Sequence, residues 1–156
     1  MSVLVAVAAL FIVVFPVASA VATPPEGVTL EGDAFFDGLE AGTGVFAASG
    51  PAFVTGAMCP GATTADVPGT VVTGGGQSPN GITLRVVKEF TCGDGSGSFF
   101  VKLRARIHNS GSTTFKWVIE GGTGAYASLK GNGTGSGTPL SGDPNGVYDT
   151  YNGKVH

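Results

Sequence analysis

Four ionisable side chains occupy alternate positions of one short segment. Lys102, Arg104, Arg106 and His108 alternate with Val101, Leu103, Ala105 and Ile107. On a strand they would share one face, where they could hold an anion or a carboxylate. An imidazole such as His108 can act as a general base. A triad built on it needs Ser and Asp partners, and none can be placed. The second histidine is His156, and no serine stands in a Gly-x-Ser-x-Gly elbow followed by a helix. Polar residues alternating in this way are the ordinary wet face of a strand, with Glu89, Glu120 or Asp94 as partners. No catalytic residue is assigned.

Gly122-x-Gly124-x-x-Ala127 has the spacing of a dinucleotide-binding turn. That chemistry requires a helix whose N-terminus faces the pyrophosphate. Ser128-Leu129-Lys130-Gly131-Asn132-Gly133 cannot extend one. Gly121, Gly122, Thr123 and Gly124 are therefore read as a tight structural turn. Asp94-Gly95-Ser96-Gly97-Ser98 opens like a calcium loop, but Ala105 stands where the bidentate Glu would be. Asp143, Asn145 and Asp149 could offer three oxygens, yet Asp and Asn are ordinary turn formers there. Neither CxxC nor HxxxH occurs, so no zinc site is expected. No metal and no cofactor is assigned. Asn132-Gly133-Thr134 is a formal glycosylation sequon.

Cys59 and Cys92 are the two cysteines. Their compartment decides their chemistry, and the N-terminus speaks to compartment. Residues 1–20 carry no charge, and 3–15 form one apolar run. Pro16 breaks it, and Ala18-Ser19-Ala20 supplies the small residues of a cleavage site. This predicts a secretory signal peptide over 1–20, although the leader lacks Lys and Arg, with an uncleaved N-terminal anchor as the alternative. The run is short for a membrane span, which takes about 20 apolar residues, and no span is expected after cleavage. In a secreted protein the two cysteines read as a disulfide. Removing 20 of 156 residues leaves 136, enough for one domain. Its net charge of −3 argues against a nucleic-acid binder. Residues 21–27, with Pro24-Pro25, are expected to be a flexible arm, and 28–156 a single domain.

The domain reads as all-β. Phe99, Val101, Leu103, Ala105 and Ile107 alternate with polar neighbours, and so do Phe115, Trp117 and Ile119. The short polar link between them predicts a hairpin. Ile82, Leu84 and Val86 begin another strand. Weaker strands are predicted near 28–36, 52–55, 70–73, 126–130, 134–138 and 147–155. Ser78-Pro79-Asn80-Gly81 and Asp143-Pro144-Asn145-Gly146 are turn strings, because Pro presets φ and Asn-Gly tolerates positive φ. Eight or nine strands joined by glycine-rich turns make a closed antiparallel β-barrel, with a β-sandwich as the alternative.

The segment from Trp117 through Gly121-Gly122-Thr123-Gly124-Ala125-Tyr126 to Gly133 resembles the strand–turn–strand unit of the allene oxide cyclase/dirigent barrel superfamily. It is closer still to a group of exported bacterial proteins of unknown function. Phe90-Thr91-Cys92-Gly93-Asp94-Gly95-Ser96-Gly97-Ser98-Phe99 and the ending Tyr148-Asp149-Thr150-Tyr151-Asn152-Gly153-Lys154-Val155 match that group too. The resemblance covers about half of the domain and implies an eight-stranded barrel. None of the catalytic carboxylates of those enzymes can be placed on this chain.

Trp117, Tyr126 and Tyr148, with Tyr151, are the aromatics that could line a barrel mouth and stack on a ligand; core and rim packing is the alternative. The expected function is a non-catalytic secreted barrel that binds a small apolar ligand or serves as a surface component. A cyclase- or isomerase-like enzyme is the alternative, and a module for a protein or glycan partner a third. The barrel interior discriminates. A cavity with a buried carboxylate or tyrosine favours chemistry, and a filled interior favours a structural role.

Overall fold

The structure is a computed structural model that describes residues 24–37, 40–78 and 81–156. The expected signal peptide, and residues 21–23 of the expected arm, lie outside the described residues.

Among the described residues nine strands follow in order: β1 (Glu26–Asp37), β2 (Glu40–Ser49), β3 (Gly61–Asp66), β4 (Val72–Ser78), β5 (Gly81–Cys92), β6 (Ser98–Ile107), β7 (Thr113–Gly122), β8 (Gly131–Pro139) and β9 (Gly146–Val155). One helical turn, α1 (Pro51–Val54), sits between β2 and β3, and a 3-10 turn covers Gly124–Tyr126. The sheet runs β3-β2-β1-β9-β8-β7-β6-β5-β4, and β3 also pairs with β5. That pairing closes eight antiparallel strands into the expected barrel and leaves β4 as an extra strand. Both β3 and β4 use the same edge of β5, β3 opposite 88–92 and β4 opposite 81–85. Beyond Asp66 the wall at β4 has no partner on its far side among the described residues.

Period-two alternation sets which side chains enter the barrel. Leu84, Val86, Phe90 and Cys92 of β5 point inward, as do Phe99, Val101, Leu103 and Ala105 of β6. Phe115, Trp117 and Ile119 come from β7, and Val147, Tyr151 and Val155 from β9. Phe46 joins them from β2. β8 presents Gly131, Gly133, Gly135 and Gly137 to the interior instead. A Cβ on Gly133 would stand 2.6 Å from the Trp117 ring, and one on Gly135 would stand 2.1 Å from the Phe115 ring. The large residues of β7 fill the space that the glycines of β8 leave. The Trp117 indole N–H donates to the Thr134 carbonyl at 3.1 Å.

The lower half of the barrel is a train of rings. Phe115 meets Tyr151 at 4.6 Å, Tyr151 meets Phe46 and Phe90, and Phe90 stacks on Phe99 at 5.0 Å. Phe99 meets Tyr126 edge-on at 5.8 Å. The space left among Leu30, Phe46, Met58, Phe90 and Phe99 is only about 10 Å³, no more than a single water needs. Cys59 and Cys92 are bonded at this end, with Sγ atoms 2.11 Å and Cα atoms 6.0 Å apart.

Several boundaries differ from the sequence reading. β1 begins at Glu26, so Glu26 and Gly27 are not part of an arm; they pair with Val155 and Lys154 of β9. Residues 51–54 form a helical turn, not a strand: Pro51 presets φ at the first position, and only Ala52 is buried. Residues 126–130 are not a strand either. Gly124 turns the chain at φ +56, and Tyr126 and Leu129 enter the core three residues apart, as on one helical turn. Thr70 and Val71 precede β4, in which Thr73 continues. The turn at Pro79-Asn80 lies outside the described residues, although Ser78 opposes Gly81 as a two-residue hairpin requires.

Candidate functional site

The candidate site is the other half of the barrel interior, where the alternation delivers polar side chains. Lys88 falls in phase with Leu84, Val86 and Phe90 on β5 and is 3% exposed. Asp66 is its register partner on β3. Their ammonium and carboxylate meet at 2.5 Å. The Gly42 N–H donates to the second Asp66 oxygen at 3.1 Å, and Phe36 presents its ring 5.9 Å from the Lys88 nitrogen. A buried pair needs such added partners, because desolvation of both charges opposes their attraction.

Asp149 enters from β9, in phase with Val147 and Tyr151. Thr113 of β7 and Asp149 both face Gly137 of β8, where a Cβ would stand 2.3 Å from each of their oxygens. Thr64 of β3 is also buried. Burial pushes the Asp149 carboxyl up to about 7, although Lys88 and the Thr113 hydroxyl pull the other way. Burial also raises the Tyr151 phenol, and the charges of Asp149 and Asp66 add to it. Among the described residues four interior oxygens make no hydrogen bond of good geometry, namely Thr64 Oγ1, Thr113 Oγ1, Asp149 Oδ1 and Tyr151 Oη; the Thr113 hydroxyl and the Asp149 carboxyl nonetheless lie close enough to interact. Buried polar atoms are nearly always paired, so these four on the inner faces of β3, β7 and β9 are unmet hydrogen-bonding capacity of the inner wall. Chemically the set offers a hydroxyl-rich surface, a carboxyl that exchanges its proton near neutrality, and a charged pair held beside it.

The residues singled out by sequence divide. Trp117 and Tyr126 are buried, but they fill the barrel. Tyr126 directs its hydroxyl to Ser96 Oγ at 3.1 Å. Tyr148 does not line the interior: it alternates against Asp149 on β9, points outward and is 43% exposed. Gly121, Gly122, Thr123 and Gly124 form a turn that docks on the β5–β6 turn. Thr123 N–H donates to the Ser98 carbonyl, Ser98 N–H donates to Thr123 Oγ1, and Ala125 N–H donates to the Ser96 carbonyl. Of the calcium-like strings, Asp94 and Asp143 are used within their own turns, since Asp94 Oδ1 accepts from Ser96 and Asp143 Oδ1 from Asn145, whereas Asp149 leaves the turn and is buried on β9. Among the described residues no three His, Cys, Asp or Glu side chains gather as for a metal. Lys102, Arg104 and Arg106 are exposed, and of the expected partners Glu120 engages Lys102. His108 Nε2 lies 3.1 Å from Thr114 Oγ1.

Asp66, Lys88, Thr64 and Thr113 were missed by sequence reasoning, and Asp149 was read there as a turn former. A signal existed for two of them: a Lys in phase with Leu84, Val86 and Phe90, and an Asp in phase with Val147 and Tyr151. Among the described residues no helix is long and apolar enough to cross a membrane. Comparison with protein-family models, curated protein sequences and solved structures finds no match.

Proposed function

We propose that this protein is a secreted, disulfide-tied barrel that binds a small ligand in the polar half of its interior and does no chemistry on it. The observation that carries this reading is the unmet hydrogen-bonding capacity of four oxygens on the inner wall. The ligand would present a hydrogen-bonding head to Asp149, Thr113, Thr64 and Tyr151. Its frame would be apolar, because Ala34, Phe36 and Val147 flank the same end of the barrel. The train of rings below leaves no chamber for a larger apolar body. Entry beside β4, whose far edge pairs with no strand among the described residues, fits this placement. Secretion rests on the leader-like residues 1–20 and on the buried disulfide, which persists in an oxidising compartment.

One observation favours a second reading. A buried carboxyl at about 7 next to a phenol and an ammonium is the equipment of a general acid–base site. An isomerase- or cyclase-like enzyme would use Asp149 as its base.

The test is native mass spectrometry of protein secreted by its own host, beside the same protein denatured and beside Thr113→Val. An adduct on the native wild type that weakens at least tenfold in the variant is expected, with the compound released chemically unchanged. A bare native mass after gentle isolation overturns ligand binding. Release of a compound converted by wild type but not by Asp149→Asn replaces the binding reading with the enzymatic one.

A further inference from the structure

The outer wall carries a feature that the interior does not explain. Register places Arg85 of β5 directly opposite Arg104 of β6, and Arg104 directly opposite Lys116 of β7. Three cations thus form one row across three strands, all exposed. Arg106 stands two residues further along β6 on the same face. Like charges directly opposite on a sheet repel and destabilise it. The two salt bridges found among the described residues are Lys88–Asp66 and Lys102–Glu120, so neither relieves Arg85, Arg104 or Lys116. The row is concentrated on a chain whose net charge is −3, with eight basic residues in all. Two of its members, Arg104 and Lys116, line a shallow open groove of about 580 Å³ together with Arg106, Thr83, Thr114 and Thr134.

We infer that this face docks a linear acidic polysaccharide, its carboxylates on the cation row and its hydroxyls on the threonines. Adjacent strands lie about 4.8 Å apart, so the row repeats at a spacing close to one sugar of an extended chain. Arginine forks donate pairs of parallel hydrogen bonds to carboxylates. A single-stranded nucleic acid would want exposed rings between the cations for its bases. The large apolar side chains exposed near this face are Val72 and Val118, and neither is aromatic. This inference concerns the outer face and is independent of the ligand proposed for the interior.

The experiment measures binding of the full domain to immobilised polygalacturonate at low and high salt, with dextran and polyuridylate as parallel surfaces. Wild type is expected to bind polygalacturonate, to lose most of that binding in high salt, and to ignore dextran. Arg104→Gln is expected to weaken binding at least tenfold. Lys154→Gln, on the outer face of β9, is expected to change it less than twofold. Arg104→Gln should also raise the melting temperature, because it removes the centre of a repulsive row; a cation held by structural pairing would lower it. No binding by wild type, equal binding by Arg104→Gln, tighter binding to polyuridylate, or self-association that Arg104→Gln abolishes would each overturn the inference.

Discussion

Replacing Asp149 by Asn reads the polar half of the barrel directly. Asp149 is 5% exposed, and burial lifts its carboxyl from 3.8 to about 7 against the pull of Lys88 and Thr113. In the unfolded chain the same group ionises near its ordinary value. Between those two pH values the folded protein holds a proton that the unfolded chain has released. Stability therefore falls as pH rises through the window. The contribution is fully present below about pH 4 and gone above about pH 7. At 1.36 kcal/mol per pH unit the window amounts to at most roughly 4 kcal/mol. Asn is neutral at every pH, so Asp149→Asn lacks this slope. The assay is urea unfolding of both proteins at a series of pH values from about 4 to about 8, compared by midpoint at constant m. Whatever offset separates them in acid, the variant should gain on wild type by up to roughly 4 kcal/mol toward neutrality. Parallel curves across the window would mean that Asp149 is not the group that titrates, and the burial argument would fail with it.

Two further predictions concern the frame. Cys59 and Cys92 close a loop with a sequence separation of 33 residues, so replacing both by Ala should lower unfolding free energy by about 3–4 kcal/mol in the chain-entropy model; chemical denaturation that finds less than about 1 kcal/mol would contradict it. Gly135→Ala places a methyl 2.1 Å from the Phe115 ring and should destabilise by about 1–3 kcal/mol or more through overpacking. Gly74→Ala on β4 meets no atom within 4 Å and should stay within about 0.5 kcal/mol of wild type. Calorimetric melting of the two variants checks the contrast, and equal melting temperatures would refute the close packing of β7 against β8.

The barrel was legible because β6 and β7 carry apolar residues at every second position, and β5 and β9 do so but for Lys88, Asp149 and Gly153. β2 and β3 were not read as strands, and the reason is visible in what they point inward. β2 offers Gly42, Gly44, Phe46 and Ala48, and its Val45 faces out at 67% exposure. β3 offers Ala62, Thr64 and Asp66. Neither shows the alternation that marks a half-buried strand, because both face either a ring from across the barrel or the polar half. Residues 52–55 misled for the opposite reason. Phe53 and Val54 favour a strand by type, yet they stand 41% and 81% exposed on a turn that Pro51 begins.

The same bareness explains where the site lies. A barrel this narrow has little interior volume, and each strand must divide it with those opposite. β8 gives up its inward side chains entirely, and Trp117 and Phe115 take that space near the middle of the strand. At Gly137 no ring arrives. Asp149 and Thr113 close over that glycine instead, and a side chain there would displace both. Across the barrel, Gly42 leaves room in the same way for the Asp66 carboxylate and the Lys88 ammonium, each 3.1 Å from where its Cβ would be. The polar half therefore exists because two strands withdraw, not because a loop inserts into the barrel. Its chemistry is tied to rigid strand positions, so a ligand held there would meet a preformed wall.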